Sequence, residues 1–164
     1  KREIGQYNNV IMNPPYSMKF PDAERYPMAG FMISKSKADY GFLLRGLQHL
    51  KEDGRLITIL PHGVLFRGAG EGKIREWLIK QHLINAVIGL PNKLFLNTSI
   101  PVCILVIERH SPNILFIDAS QEYIKGSSQN DISAGSWENS RLLQCKDGYR
   151  KVFPQSFVRG NRGK

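Results

Sequence analysis

The stretch Tyr7-Asn8-Asn9-Val10-Ile11-Met12-Asn13-Pro14-Pro15-Tyr16 is the most informative in the chain. Its first six residues lean toward a β-strand, and the sequence fixes where that strand ends. Proline has no backbone N–H to give to a ladder, so Asn13-Pro14-Pro15 stops the strand at once. At the least, this is a rigid turn at a strand end. In an open α/β sheet it is also the place where ligands gather, because such sheets bind them beyond the carboxyl ends of their strands.

Working outward, the chain alternates. After a polar, irregular segment with Pro21, Pro27 and Gly30, Asp39 is placed to cap a helix in which Phe42, Leu43, Leu47 and Leu50 recur at helical spacing. Glu52-Asp53-Gly54-Arg55 reads as a turn, with Gly54 suited to a left-handed position. Leu56-Ile57-Thr58-Ile59-Leu60, ended by Pro61, reads as a strand buried on both faces. The loop Arg67-Gly68-Ala69-Gly70-Glu71-Gly72 leads into a helix carrying Ile74, Trp77 and Leu78 and reaching toward His82. Strands are expected at 83–88, 102–107 and 114–117, and an irregular tail beyond about residue 120. The alternation of strands and helices predicts an α/β sheet with helices on its faces.

Bulk properties narrow the function classes. A chain of 164 residues is one domain by length. No apolar run approaches the roughly 18–20 residues of a membrane span. Cys103 and Cys145 are too few for a disulfide framework, which points to a reducing cytoplasm. His49, His62, His82 and His110 show no metal-site spacing with them, so no metal is expected. The net charge is +9, and residues 141–164 supply +6 of it, seven Lys/Arg against Asp147 alone. That imbalance fits either an anionic partner such as nucleic acid or a solvated basic tail.

The tetrapeptide carries a specific chemistry. Two prolines hold the backbone so that the Asn13 side-chain carbonyl and the Pro14 main-chain carbonyl can converge on one amino group. The exocyclic amine of adenine is a poor nucleophile because its lone pair is delocalised into the ring. Two acceptors on its hydrogens favour a pyramidal nitrogen and oppose the charge that develops as it attacks a methyl group, which lowers the barrier. Tyr16 offers a stacking surface for a base turned out of a duplex. This chemistry needs no general base.

At these residues the sequence resembles a known family. Ile11-Met12-Asn13-Pro14-Pro15-Tyr16-Ser17 is similar to the Asn/Asp-Pro-Pro-Tyr/Phe segment of amino-group DNA methyltransferases, in its adenine-specific form. Lys35 to Phe42, Leu60 to Gly68, Leu90 to Phe95, Asn97 to Leu105 and Phe116 to Ser120 are similar to the modification subunit of type I restriction systems. The resemblance spans about residues 7–125. It implies a partial Rossmann-like class I S-adenosylmethionine-dependent methyltransferase fold, the second half of its sheet, mostly parallel with one antiparallel strand. The expected strand order is 7–12 at the edge, then 55–60, then 102–107 antiparallel to its neighbours, with 83–88 outermost. The implied division is residues 1–125 as the C-terminal half of a catalytic domain and 126–164 as an irregular basic tail.

The implied activity is adenine N6-methylation of DNA with S-adenosylmethionine. Asn13, Pro14 and Tyr16 are the expected catalytic residues, and Pro15, Asp39, Phe42, Arg67 and Asn97 line the expected substrate side. Asn13 also borders the cofactor. For Asp39 and Phe42, helix capping and core packing stand as an alternative. Arg67 and its glycines fit a phosphate contact or a plain surface loop, and Asn97-Thr98-Ser99 fits a site or a turn. The expected partners are double-stranded DNA with a flipped adenine, the specificity and restriction subunits, and the N-terminal half of the methyltransferase domain.

Two departures from the family go with this. The glycine-rich cofactor loop belongs upstream of Asn13, where only twelve residues stand, and the stretch past Asn130 is unlike the family. Both fit a truncated or frame-shifted reading of a longer gene, inactive alone. The alternatives are a non-catalytic fragment or interaction module, and a methyltransferase acting on protein glutamine or on RNA.

Overall fold

In the computed structural model of the chain, the described residues are 7–21, 30–96, 98–132 and the backbone of 150–154. Strand β1 (Tyr7–Met12) ends where the prolines require, at Asn13. Helix α1 (Asp39–His49) runs directly into β2 (Leu50–Pro61), and a 3-10 turn (His62–Leu65) leads to α2 (Ala69–Lys80). Strands β3 (Ile84–Gly89), β4 (Val102–Glu108), β5 (Asn113–Asp118) and β6 (Arg150–Pro154) follow. They form one sheet in the order β1-β2-β4-β3-β5-β6.

The pleat separates the two faces of this sheet. Leu56, Thr58 and Leu60 of β2 pair with Ile107, Leu105 and Cys103 of β4, and all six are buried. These residues share one core with Leu43, Leu44 and Leu47 of α1 and Ile74 and Leu78 of α2. Ile57 and Ile59, paired with Val106 and Ile104, point to the other face and are half-buried. Val10 and Met12 pack toward the core from β1, whereas Ile11, between them, is 79% exposed.

The first four positions of the sheet agree with the expected order. Strand β3 is not outermost, however. Its free edge pairs in parallel with β5, and β5 pairs antiparallel with β6. The expectation of one reversed strand becomes two, β4 and β6, while β1, β2, β3 and β5 run the same way. Strand β6 lies in the segment expected to be irregular. Its Arg150-Lys151-Val152-Phe153-Pro154 sequence has little strand signal of its own, and the ladder comes from β5.

Two local expectations are also corrected. Glu52 to Arg55 is not a turn but part of β2. Tyr7 pairs with Leu50 and Asn9 with Arg55, so β2 takes up three extra residues in an irregularity opposite Asn8. Gly54 is buried there, and a glycine is needed because an added Cβ would lie 2.9 Å from the Asn8 carbonyl oxygen; a left-handed conformation is not the reason. Helix α2 begins inside the glycine-rich loop, at Ala69, and ends at Lys80, short of His82.

Candidate active site at the carboxyl end of β1

Asn13 leaves β1 exposed, followed by half-buried Pro14, exposed Pro15 and half-buried Tyr16. The Tyr16 hydroxyl donates to Asn13 Oδ1 at 2.7 Å. A carbonyl oxygen has two lone pairs, so this bond orients the amide and leaves one acceptor position free. Burial raises the Tyr16 pKa, partly offset by its bond to Asn13, which keeps the phenol a donor. The Tyr16 ring also meets Phe95, with centroids 5.9 Å apart and planes tilted by 59°.

The backbone behind this loop is held from a distance. Ser17 takes a left-handed conformation, φ 50°, which is uncommon for a residue with a side chain. Its N–H donates to Asp39 Oδ1 at 2.8 Å. The segment beyond it is tied to the approach of α1, Ala38 N–H donating to Met18 O and Phe20 N–H to Lys35 O.

Asp39 does not cap α1. Ala38 occupies the cap position, and no side-chain cap bond is made. The Asp39 carboxylate is fully buried, with Ser17 on one oxygen and Arg67 Nη2 on the other at 2.5 Å. Arg67 Nε donates to Glu71 at 2.6 Å. Burial works against the Arg67 charge, but its bonds to Glu71 and Asp39 outweigh this and raise its pKa. The Arg67 turn is itself fixed: Arg75 Nη1 donates to the carbonyls of both Val64 and Arg67 at 3.0 Å, and Tyr40 OH donates to Val64 O at 2.7 Å. The Arg67 guanidinium packs over Gly63, whose missing side chain leaves room for it.

Of the residues expected at the site, Asn13, Pro14, Pro15 and Tyr16 stand together at the strand end, and Asp39 and Arg67 form the support behind them. Phe42 lines a cavity of about 120 Å³ with Met18, Phe20 and Ile33. Asn97 lies outside the described residues, as does Cys145; neighbouring Thr98 accepts the Ile100 N–H in a local turn. Among the described residues, no three His, Cys, Asp or Glu side chains converge as a metal site would require. Ser17 and Phe95 were not among the expected site residues. A left-handed serine has no sequence signature, and Phe95 reaches Tyr16 across about eighty residues of chain.

The family model for N-6 DNA methylases matches residues 1–146. The chain belongs to the N-6 DNA methylase family. Over 147 residues it is 33% identical to the type I restriction enzyme MpnII methylase subunit of Mycoplasma pneumoniae, covering 83% of this chain and 27% of that protein. The type I restriction-modification methyltransferase subunit of Streptococcus thermophilus superposes with a TM-score of 0.86 at 38% identity, over 98% of this chain and 37% of that one. A class I S-adenosylmethionine-dependent methyltransferase from Listeria monocytogenes, described as putative, gives a TM-score of 0.62 at 19% identity and covers 90% of this chain and 44% of that one, a likeness of fold alone. This N-6 DNA methylase chain thus spans between about a quarter and a half of these three proteins. Its mixed, mostly parallel sheet has the class I methyltransferase fold in part, as expected.

Proposed function

We propose that this chain is the adenine-handling part of an adenine-specific DNA methyltransferase, the modification subunit of a type I restriction-modification system. The observation that carries the reading is an exposed Asn-Pro-Pro-Tyr loop at the end of a strand in this sheet. S-adenosylmethionine, when bound, would supply the methyl group, with its carbon–sulfur bond breaking as the amino nitrogen bonds to the methyl, S-adenosylhomocysteine leaving and the displaced amino proton passing to solvent. The resemblance puts the cofactor's glycine loop upstream of β1, so this chain's share of that site is the strand end around Asn13.

The chain's own residues do the rest. Asn13 Oδ1, already oriented by Tyr16, accepts one hydrogen of the adenine amino group through its free lone pair, and Pro14 O accepts the other. Both acceptors oppose positive charge as it grows on nitrogen, so their help is greatest at the transition state. The Tyr16 ring, backed by Phe95, supports the face of the flipped base. Pro15 keeps the loop rigid. The substrate is double-stranded DNA, read in the cytoplasm, with the specificity and restriction subunits and the other half of the domain as partners.

The test uses the methylase containing this segment, assembled with those partners. It is incubated with methyl-labelled S-adenosylmethionine and DNA, and the DNA is digested to nucleosides. Label is expected in N6-methyl-2′-deoxyadenosine. Label on cytosine, on RNA or on a protein amide instead would overturn the reading.

A further inference from the structure

We infer that Asp39, Arg67 and Glu71 form a positioning relay that sets the conformation of the Asn13–Tyr16 loop, and that Arg67 serves the reaction through this relay without contacting DNA phosphate. The inference rests on the function proposed above.

Three observations carry it. First, the Ser17 N–H, one residue past Tyr16, ends on a carboxylate with no exposure to water, so the loop's exit is bound to a fixed group. Second, Ser17 is left-handed, a conformation that a side chain disfavours and that its surroundings must hold. Third, the Arg67 guanidinium is engaged on both sides, by Asp39 and by Glu71, with its side chain 19% exposed. A guanidinium presented to phosphate would offer its fork outward. This one is turned inward onto Asp39, whose second oxygen carries the loop.

The consequence is a division of labour. Asn13 and Tyr16 touch the base, while α1 and the Arg67 turn determine where those side chains stand. A misplacement of about 1 Å at such a site costs up to ~10²-fold in rate. Loss of the relay should therefore lower kcat and leave DNA capture nearly unchanged. A phosphate contact would behave in the opposite way, weakening DNA binding and lowering the salt slope by about 1.

The assembled methylase is compared with its Asp39→Asn, Arg67→Lys and Arg67→Ala variants for kcat, KM for DNA, salt dependence of DNA binding and amide exchange at Ser17. Asp39→Asn keeps an acceptor for Ser17 and only weakens the bond to Arg67, so it carries the test if Arg67→Ala does not fold. A fall in kcat of about 10- to 100-fold with KM and salt slope unchanged is the expected result, with protection at Ser17 lost in the Arg67 variants and only reduced in Asp39→Asn. A raised KM with a smaller salt slope and an intact kcat would overturn the relay, as would variants equal to the parent. If the parent itself methylates no adenine, the proposed function fails, and Ser17 protection alone decides the relay.

Discussion

The exposed side chains of the tetrapeptide and the buried groups behind it call for different experiments. Asn13→Ala in the assembled methylase removes one of the two acceptors proposed for the reacting nitrogen, so a rate loss of about 10²–10³ is expected, measured as single-turnover methyl transfer. Tyr16→Phe keeps the ring and loses only the bond that orients Asn13, and should cost much less than Tyr16→Ala, which also removes stacking worth roughly 1–3 kcal/mol. Equal losses in the two Tyr16 variants would mean that the hydroxyl, not the ring, matters. Tyr40 offers a pH test. Burial, opposed by Arg75, pushes its phenol up from 10 to about 12. A raised folded pKa means that the folded state holds this proton more tightly than the unfolded one. The resulting stability is present in full below pH 10 and is lost as pH rises through about 12. Tyr40→Phe should flatten this alkaline loss in denaturant titrations. Its cost at neutral pH should be only about 0.5–1.5 kcal/mol, because Arg75 still serves the Val64 carbonyl. Four contiguous residues marked the candidate site in the sequence. The relay did not show there, since Ser17, Asp39 and Arg67 are separated by 22 and 28 positions and only the fold joins them.

At the level of elements, α1 determines how β1 is carried. Gly46 of α1 faces the sheet, and an added Cβ would meet Leu56 Cδ1 and Met12 Cε, each at 2.7 Å. Gly46→Ala gains about 1 kcal/mol of helix propensity. Overpacking costs about 1–3 kcal/mol, so a small net destabilisation is expected. Met12 is the softer of the two neighbours, and it is the residue before Asn13. The substitution should therefore lower methyl transfer more than stability, and Met12→Val in the same background should recover part of the loss by making room. A large fall in unfolding free energy with normal turnover in the surviving enzyme would show that Leu56, fully buried, takes the strain instead. Apolar periodicity located α1, β3, β4 and β5 to within a few residues, because each packs against the core. It failed at Glu52 to Arg55 and at β6. In the first, exposed Lys51, Glu52 and Asp53 look like a turn, and they form the irregularity inside β2 between the Leu50 and Arg55 pairs. In the second, pairing with β5 makes a strand from a sequence that reads as tail.

At the scale of the whole molecule, the β1 end of the sheet is the one that concerns the site. Among the described residues, strand β1 pairs with β2 alone and stands at an edge. Outward from it point Tyr7, 54% exposed, and Ile11, 79% exposed, beside the half-buried Ile57 and Ile59 on the same side of the sheet. Natural edge strands are short, charged or covered, because unpaired main-chain groups invite another strand. Tyr7–Met12 has none of those charges, and Ile11 at its centre adds apolar area to the open ladder. This edge is the one at which the resemblance places the other half of the sheet. Residues 1–164, purified as a separate segment, should therefore self-associate as their concentration rises. Adding the complementary half of the domain should disperse the self-association and protect the amides of Asn9 to Met12 from exchange. Solution scattering and exchange measured with and without that half separate the outcomes. A chain that stays monomeric at high concentration, with those amides already protected, would mean that its own residues close the edge.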